Sequence, residues 1–143
     1  MSTSPRQTVE AFLTGFRHLD TDAALSTVSA DAQVNLYPLQ KIGGGRDDLS
    51  NLLQEISRAL PDLLLTVRSV LELGPVVVAE VKIEGTQAAD FLGVVNQEKH
   101  LDWDTAWRFT VTAEEITGID VYWCQNQLLR RLGVKRTDQI AIV

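Results

Sequence analysis

Residues 101–123 read LDWDTAWRFTVTAEEITGIDVYW, and apolar and polar side chains alternate through two parts of this stretch. A period of two is typical of a β-strand with one buried face. We therefore predict strands over 101–111 and 116–123, with a polar turn around residues 113–115 between them. They form a hairpin whose apolar side chains face one side and whose charged side chains face the other.

The chain upstream of this hairpin continues the strand pattern. Strands are predicted over 63–71 and 76–84, with a turn at Gly74 and Pro75 between them. A longer connection over 85–100 leads from the second of these strands to the hairpin. The expected anchors of this connection are Phe91, Leu92 and Gly93.

The N-terminal third of the chain is mainly helical in pattern. Ser4, Pro5 and Gln7 form a helix start signal, and apolar residues follow at helical spacing. A short second helix begins at Thr21, and a third helix is predicted over 47–60. The remaining predicted elements are a strand over 33–37, a glycine turn at 43–45 and a C-terminal helix over 125–132.

This order of elements predicts the fold class. Helices followed by hairpin-connected strands are typical of α+β domains. We expect a single domain over 1–143 in which a curved, mostly antiparallel sheet wraps around the N-terminal helices as a cone-shaped α+β barrel. Such a sheet leaves an apolar cavity between its inner face and the helices, which is a favoured place for a small ligand.

Charge and composition narrow the range of partners. The net charge is −6 and the chain holds one cysteine. Nucleic acid and anionic membranes require a basic face, so neither is an expected partner. With no stretch as long as a membrane span and no signal-peptide pattern at the start, we expect a cytoplasmic protein. His18 and His100 lack the spacing of metal ligands, so no metal site is expected.

Three stretches carry a family resemblance: ALPDL at 59–63, GTQAADFLG at 85–93 and WCQNQLLRRLG at 123–133. In this order and spacing, and together with the early helices, the chain resembles the SnoaL-like polyketide cyclases. The resemblance implies the nuclear-transport-factor-two-like cone and a homodimer formed through the outer face of the sheet, which here includes Val78, Ala106 and Tyr122. It also implies intramolecular ring closure of a polyketide without metal or organic cofactor.

The resemblance also identifies two positions where this chain departs from its relatives. Aldol-type members use an acid in the last strand and a histidine in the strand before it. Residue-by-residue matching places Val121 and Trp107 at these positions. Valine exchanges no proton and indole is only a hydrogen-bond donor. We therefore expect ring closure by positioning of the substrate, including a pericyclic closure, rather than by acid–base chemistry.

Strand alternation then predicts which side chains line the pocket. If Trp107 and Val121 face inward, so do the residues two positions away on the same strands. The resulting wall is almost wholly apolar, and its aromatic residues fit either a pocket or an ordinary packed core. The predicted substrate-binding residues are Tyr37, Val81, Trp103, Thr105, Trp107, Val121, Trp123 and Gln125.

Three residues are weak catalytic candidates. Asp90 and Cys124 are expected near the mouth of the pocket, and Cys124 has no basic neighbour in sequence that would lower its pKa. Asp120 falls on the outer face by alternation, unless a β-bulge turns it inward.

Three functions remain open from sequence. The first is a polyketide cyclase of secondary-metabolite (antibiotic) biosynthesis that acts on a hydrophobic small molecule. The second is a non-catalytic binding protein for such a molecule. The third is a hydroxylase or epoxide hydrolase of related fold, for which the expected inward arginine and two acids are not visible.

Overall fold

The structure is a computed structural model that describes residues 3–133. Within this range the chain forms four α-helices and six β-strands, with one turn of 3-10 helix at Tyr37–Leu39 after β1. In chain order the elements are α1 Pro5–Arg17, α2 Thr21–Leu25, β1 Val28–Leu36, β2 Lys41–Gly44, α3 Arg46–Ala59, β3 Leu64–Leu73, β4 Val76–Thr86, β5 His100–Thr112, β6 Glu115–Trp123 and α4 Gln125–Arg131.

The six strands form one curved sheet in the order β2-β1-β6-β5-β4-β3. All neighbours are antiparallel except β1 and β6, which pair in parallel. The helices and the sheet confirm the predicted α+β class. The prediction of one domain over 1–143 includes residues 1–2 and 134–143, which lie outside the described residues.

Helix α1 fills the concave side of the sheet. Its start is fixed by a capping box, in which the Ser4 hydroxyl accepts from the Gln7 amide at 3.1 Å and the Gln7 side chain accepts from the Ser4 amide at 2.9 Å. Phe12 and Phe16 are fully or almost fully buried, since they lie on the apolar face of the helix. Gly15 lets α2 approach closely, because a Cβ there would lie 2.6 Å from the Ala24 nitrogen.

The sheet buries one face, as the alternating pattern predicts. Along β5, burial alternates through the whole strand, with every second residue from Leu101 to Val111 inside. The same alternation holds along β4. The buried inner-face residues of β4, β5 and β6 include Val77, Ala79, Val81, Ile83, Trp103, Thr105, Trp107, Phe109, Ile119 and Val121.

Two predictions in the N-terminal half were wrong in part. The first strand begins at Val28, five residues before the predicted start at 33, and its register with β6 shifts between Val28 and Gln33. The glycine segment predicted as a turn instead contributes to β2, in which Gly44 pairs with Val34. A short edge strand is held by main-chain hydrogen bonds, so it leaves no apolar pattern in the sequence.

Candidate functional site

The inner face of the sheet is closely packed around Trp107. The centroid of its ring lies 5.6 Å from that of Phe16 and 6.0 Å from that of Phe12, and the ring stacks on Phe109 with 6.2 Å between centroids. The indole N–H of Trp107 donates to the Thr105 hydroxyl at 2.8 Å. This end of the barrel is therefore a packed core whose polar groups are paired with each other.

The other end of the barrel carries a second aromatic group. Trp103 lies 5.8 Å from Phe91 and 6.2 Å from Trp123, measured between ring centroids. Trp123 is only partly buried, and its indole N–H donates to the Gln125 side-chain oxygen at 2.7 Å. The Trp103 indole nitrogen is buried and has no hydrogen-bond partner among residues 3–133.

The connection between β4 and β5 closes this second end. We call residues 87–99 the Phe91 loop, because the Phe91 side chain is fully buried beneath it. Gln87, which is 1% exposed, organises the loop from within. Its amide donates to the Lys99 carbonyl at 2.8 Å, and its side-chain oxygen accepts from the Gln97 amide at 3.2 Å.

Within residues 3–133, two hydrogen bonds join the Phe91 loop to α3. The Leu92 amide donates to the Glu55 carboxylate at 2.7 Å, and the Ala88 amide donates to the Ala59 carbonyl at 2.7 Å. Leu92 has a φ of 50° and Gly93 a φ of 80°, so the chain reverses sharply just after Phe91. The loop is thus a compact turn held mainly by its own contacts.

The interior wall holds no ionisable side chain. Within residues 3–133, the buried polar residues are Thr8, Gln87 and Thr105. Val121 and Trp107, at the positions matched to the acid and the histidine, are both fully buried. The described inner wall therefore offers no carboxylate and no imidazole that could transfer a proton.

The catalytic candidates do not meet at this wall. Asp90 is exposed, and its carboxylate accepts from the Asn96 amide at 2.8 Å, so it stabilises the Phe91 loop. Cys124 is exposed before α4. Asp120 lies on the outer face, where it accepts from the Asn35 side chain at 2.8 Å, and no bulge turns it inward.

Tyr37 is also on the outer face, and its predicted place in the pocket was wrong. Its ring stacks on Tyr122 with 4.8 Å between centroids and 14° between planes. The alternating pattern ends with Leu36, because the following residues form a 3-10 turn that includes Pro38. Desolvation, and then the nearby Tyr37 and Asp120, raise the pKa of Tyr122 above its ordinary value.

The cavities described within residues 3–133 lie outside the barrel. One of about 150 Å³ lies between α1 and β3, with Glu10, Arg17 and Val70 among its lining residues. Another of about 450 Å³ lies beside the Phe91 loop, next to Asp62 and Gln87. None of the described cavities is lined by Trp103 or Trp107. None of these cavities is therefore the open chamber expected from sequence, and aromatic side chains pack against both tryptophans.

Within residues 3–133, no group of three Asp, Glu, His or Cys side chains is placed to hold a metal ion. No helix in that range has the length and apolar character needed to cross a membrane.

Solved structures share this fold at low sequence identity. IdmH from Streptomyces antibioticus, described as a candidate polyketide cyclase, is 19% identical with a TM-score of 0.77, covering 92% of this chain and 100% of that one. AclR from Streptomyces galilaeus, a candidate hydroxylase, is 17% identical with a TM-score of 0.82, covering 92% and 86%. An epoxide hydrolase of the LEH-like type from M. tuberculosis is 16% identical with a TM-score of 0.69, covering 90% and 88%.

These likenesses establish the fold, which hosts several chemistries. No curated protein sequence matches the chain significantly. The family comparison is more specific, since the pattern described as SnoaL-like polyketide cyclase matches residues 6–129, which include the strands and most of the helices described above. The chain therefore belongs to the SnoaL-like polyketide cyclase family.

Proposed function

We propose that the protein is a cofactor-independent polyketide cyclase of secondary metabolism, which closes a ring in a linear hydrophobic polyketide by holding it in a reactive conformation. Family membership supports the substrate class. The observation that carries the mechanism is the inner wall, where Val121 and Trp107 are buried at the positions of the family's acid and histidine.

The proposed substrate site is the end of the barrel closed by the Phe91 loop. Trp103, Trp123 and Gln125 would contact the ligand there, because Trp123 and Gln125 are only partly buried and Trp103 lies directly behind them. The other proposed substrate-binding residues form the wall further inside: Val81, Thr105, Trp107 and Val121. Entry of a ligand then requires the Phe91 side chain to move, since it is fully buried against Trp103.

Positioning of the substrate can lower the activation barrier of such a reaction without any proton transfer to the protein. Burial of apolar substrate surface contributes about 25 cal/mol per Å². Holding two reacting segments in contact removes about 7–11 kcal/mol from the barrier in the most favourable cases. In a pericyclic closure the new bonds form from the π electrons of the substrate itself, and no proton passes to the protein. Valine at position 121 is then no obstacle.

The test is turnover of linear polyketide precursors, followed by mass spectrometry and by the rate of product formation. We expect ring closure to be faster with the protein than without it, with little change between pH 6 and 9. Asp90→Asn and Cys124→Ala remove the candidate groups near the mouth and should keep the rate within about threefold. A loss above a thousandfold in either variant would contradict closure by positioning.

A second candidate function is a binding protein that shields a hydrophobic metabolite without converting it. The wall without ionisable groups is compatible with this function too. Tight binding of precursor and product with no acceleration would favour it over the cyclase. A hydroxylase or epoxide hydrolase is less well supported, because such a site needs inward acids and the described wall has none.

We also propose a homodimer formed through the outer face of the sheet, and a cytoplasmic location in keeping with the single thiol Cys124. On that face Leu71 pairs with Val78, and Ala106 pairs with Tyr122. The charged Arg108 and Glu80 lie opposite Val78 and Ala106, respectively. Leu71 is 59% exposed and Tyr122 is 44% exposed, so both are available for contact with a second copy.

A further inference from the structure

The three tryptophans of the protein differ in how their indole N–H groups are satisfied. Trp107 donates to Thr105 and Trp123 donates to Gln125, each within 2.8 Å. The Trp103 nitrogen is buried, and no acceptor lies in reach of it among residues 3–133. Buried donors in native proteins are nearly always paired, so this one calls for an acceptor that residues 3–133 do not supply.

The surroundings of Trp103 restrict the kind of partner. Its ring neighbours are the aromatic side chains of Phe91 and Trp123, and the ring itself is 1% exposed. A buried water needs two to four polar partners, which this apolar group does not provide. An anion would be costly to bring into such surroundings. A neutral oxygen on an apolar molecule, such as a ketone oxygen, needs only the one donor.

The Phe91 ring packs against the Trp103 indole, with 5.8 Å between ring centroids. Phe91 belongs to the Phe91 loop. Within residues 3–133, the two hydrogen bonds that join this loop to the rest of the structure both go to α3. Displacement of this one side chain would leave room beside the indole for a ring of similar size.

We propose that Trp103 is a ligand-binding residue that donates its indole N–H to a ketone oxygen of the bound polyketide, in the space left when the Phe91 ring moves out. The assignment rests on the proposed function, because it takes its ligand from the polyketide class. It adds a single neutral hydrogen bond that fixes the orientation of the substrate, in a site where shape supplies the rest of the recognition.

The test uses two bicyclic probes of nearly equal size, α-tetralone, which has a ketone, and tetralin, which lacks it. In protein labelled with nitrogen-15, the three tryptophans give three indole N–H resonances, and Trp103→Phe identifies the one from Trp103. On addition of α-tetralone we expect that resonance to move downfield, as it does when a hydrogen bond forms. Tetralin should leave it nearly unchanged. The wild-type titration stands even if a variant folds poorly.

Affinities give the second measurement. Phe91→Ala should tighten binding of both probes, and in that background α-tetralone should bind about five- to tenfold more tightly than tetralin, as expected for one neutral hydrogen bond. Adding Trp103→Phe should abolish that preference, whereas the matched change Trp123→Phe should keep it. Equal affinities, with a Trp103 resonance that does not move, would overturn the assignment and leave the apolar site standing. If neither probe binds the wild type or Phe91→Ala, the apolar site of the proposed function is overturned together with the assignment.

Discussion

The Thr105 hydroxyl links Trp107 to the neighbouring strand: it accepts from the Trp107 indole at 2.8 Å and donates to the Val81 carbonyl at 2.7 Å. Thr105 is 5% exposed, so this chain of hydrogen bonds is shielded from water. These two hydrogen bonds satisfy the Thr105 hydroxyl in an otherwise apolar wall, and they hold the Trp107 ring in place.

Thr105→Val should therefore destabilise the protein. The variant keeps the shape of the side chain but leaves the Trp107 N–H buried without an acceptor, at a cost of about 1–3 kcal/mol. Urea unfolding followed by tryptophan fluorescence measures the loss. The matched control is Thr110→Val on the outer face of the same strand, where we expect a change within about 0.5 kcal/mol. Equal effects at the two positions would contradict the role assigned to the Thr105 hydroxyl.

Gln87→Ala should loosen the Phe91 loop without unfolding the protein. The buried side chain accepts from the Gln97 amide at 3.2 Å, so its removal leaves that amide without its internal partner. We expect hydrogen exchange in residues 87–99 to accelerate about tenfold or more, while exchange in β5 stays slow. Gln97→Ala is the control, since it retains the backbone amide and removes only an exposed side chain. Slow exchange in the Gln87→Ala loop would show that Gln87 does not organise it.

Asp62 should make stability depend on pH in the acid range. Its carboxylate accepts from the Thr86 amide at 2.8 Å, and this hydrogen bond is the main cause that lowers the pKa of Asp62. A lowered pKa in the folded state contributes stability above the ordinary value of 3.8, and this contribution is lost as the pH falls below it. Asp62→Asn should reduce the slope of unfolding free energy against pH below about pH 4. A slope as steep as that of the wild type would contradict this.

Tyr122→Asp should convert the proposed dimer to a monomer. The substitution places a charge in the centre of the outer face, between Ala106 of β5 and the stacked ring of Tyr37. Sedimentation at micromolar concentration should give the mass of two chains for the wild type and of one chain for the variant, with unchanged circular dichroism. Ala88→Asp, at an exposed position away from this face, is the control and should remain dimeric. A monomeric wild type would refute the dimer.

The inner wall was predictable because alternation in a strand fixes the direction of every side chain once one is known. Trp103, Trp107 and Val121 are inside for that reason. Tyr37 could not be placed in this way, since the 3-10 turn after Leu36 breaks the alternation. The filled interior was also not predictable, because how deeply Phe91 inserts depends on the path of a loop that has no regular period. The unpaired Trp103 nitrogen is a property of three-dimensional packing, and no spacing in the sequence reports it.

The parallel pairing of β1 with β6 has a consequence for how the chain acquires its structure during synthesis. Leu36 pairs with Val121, a residue 85 positions later, and no pairing nearer in sequence can substitute for it on that side of β1. Contacts of such long range form slowly. In a nascent chain, β2 is therefore the only strand that can pair with β1 until the last strand, β6, has emerged. During that interval the edge of β1 that later pairs with β6 lacks its hydrogen-bond partners, and an unpaired strand edge is open to chaperones and to aggregation.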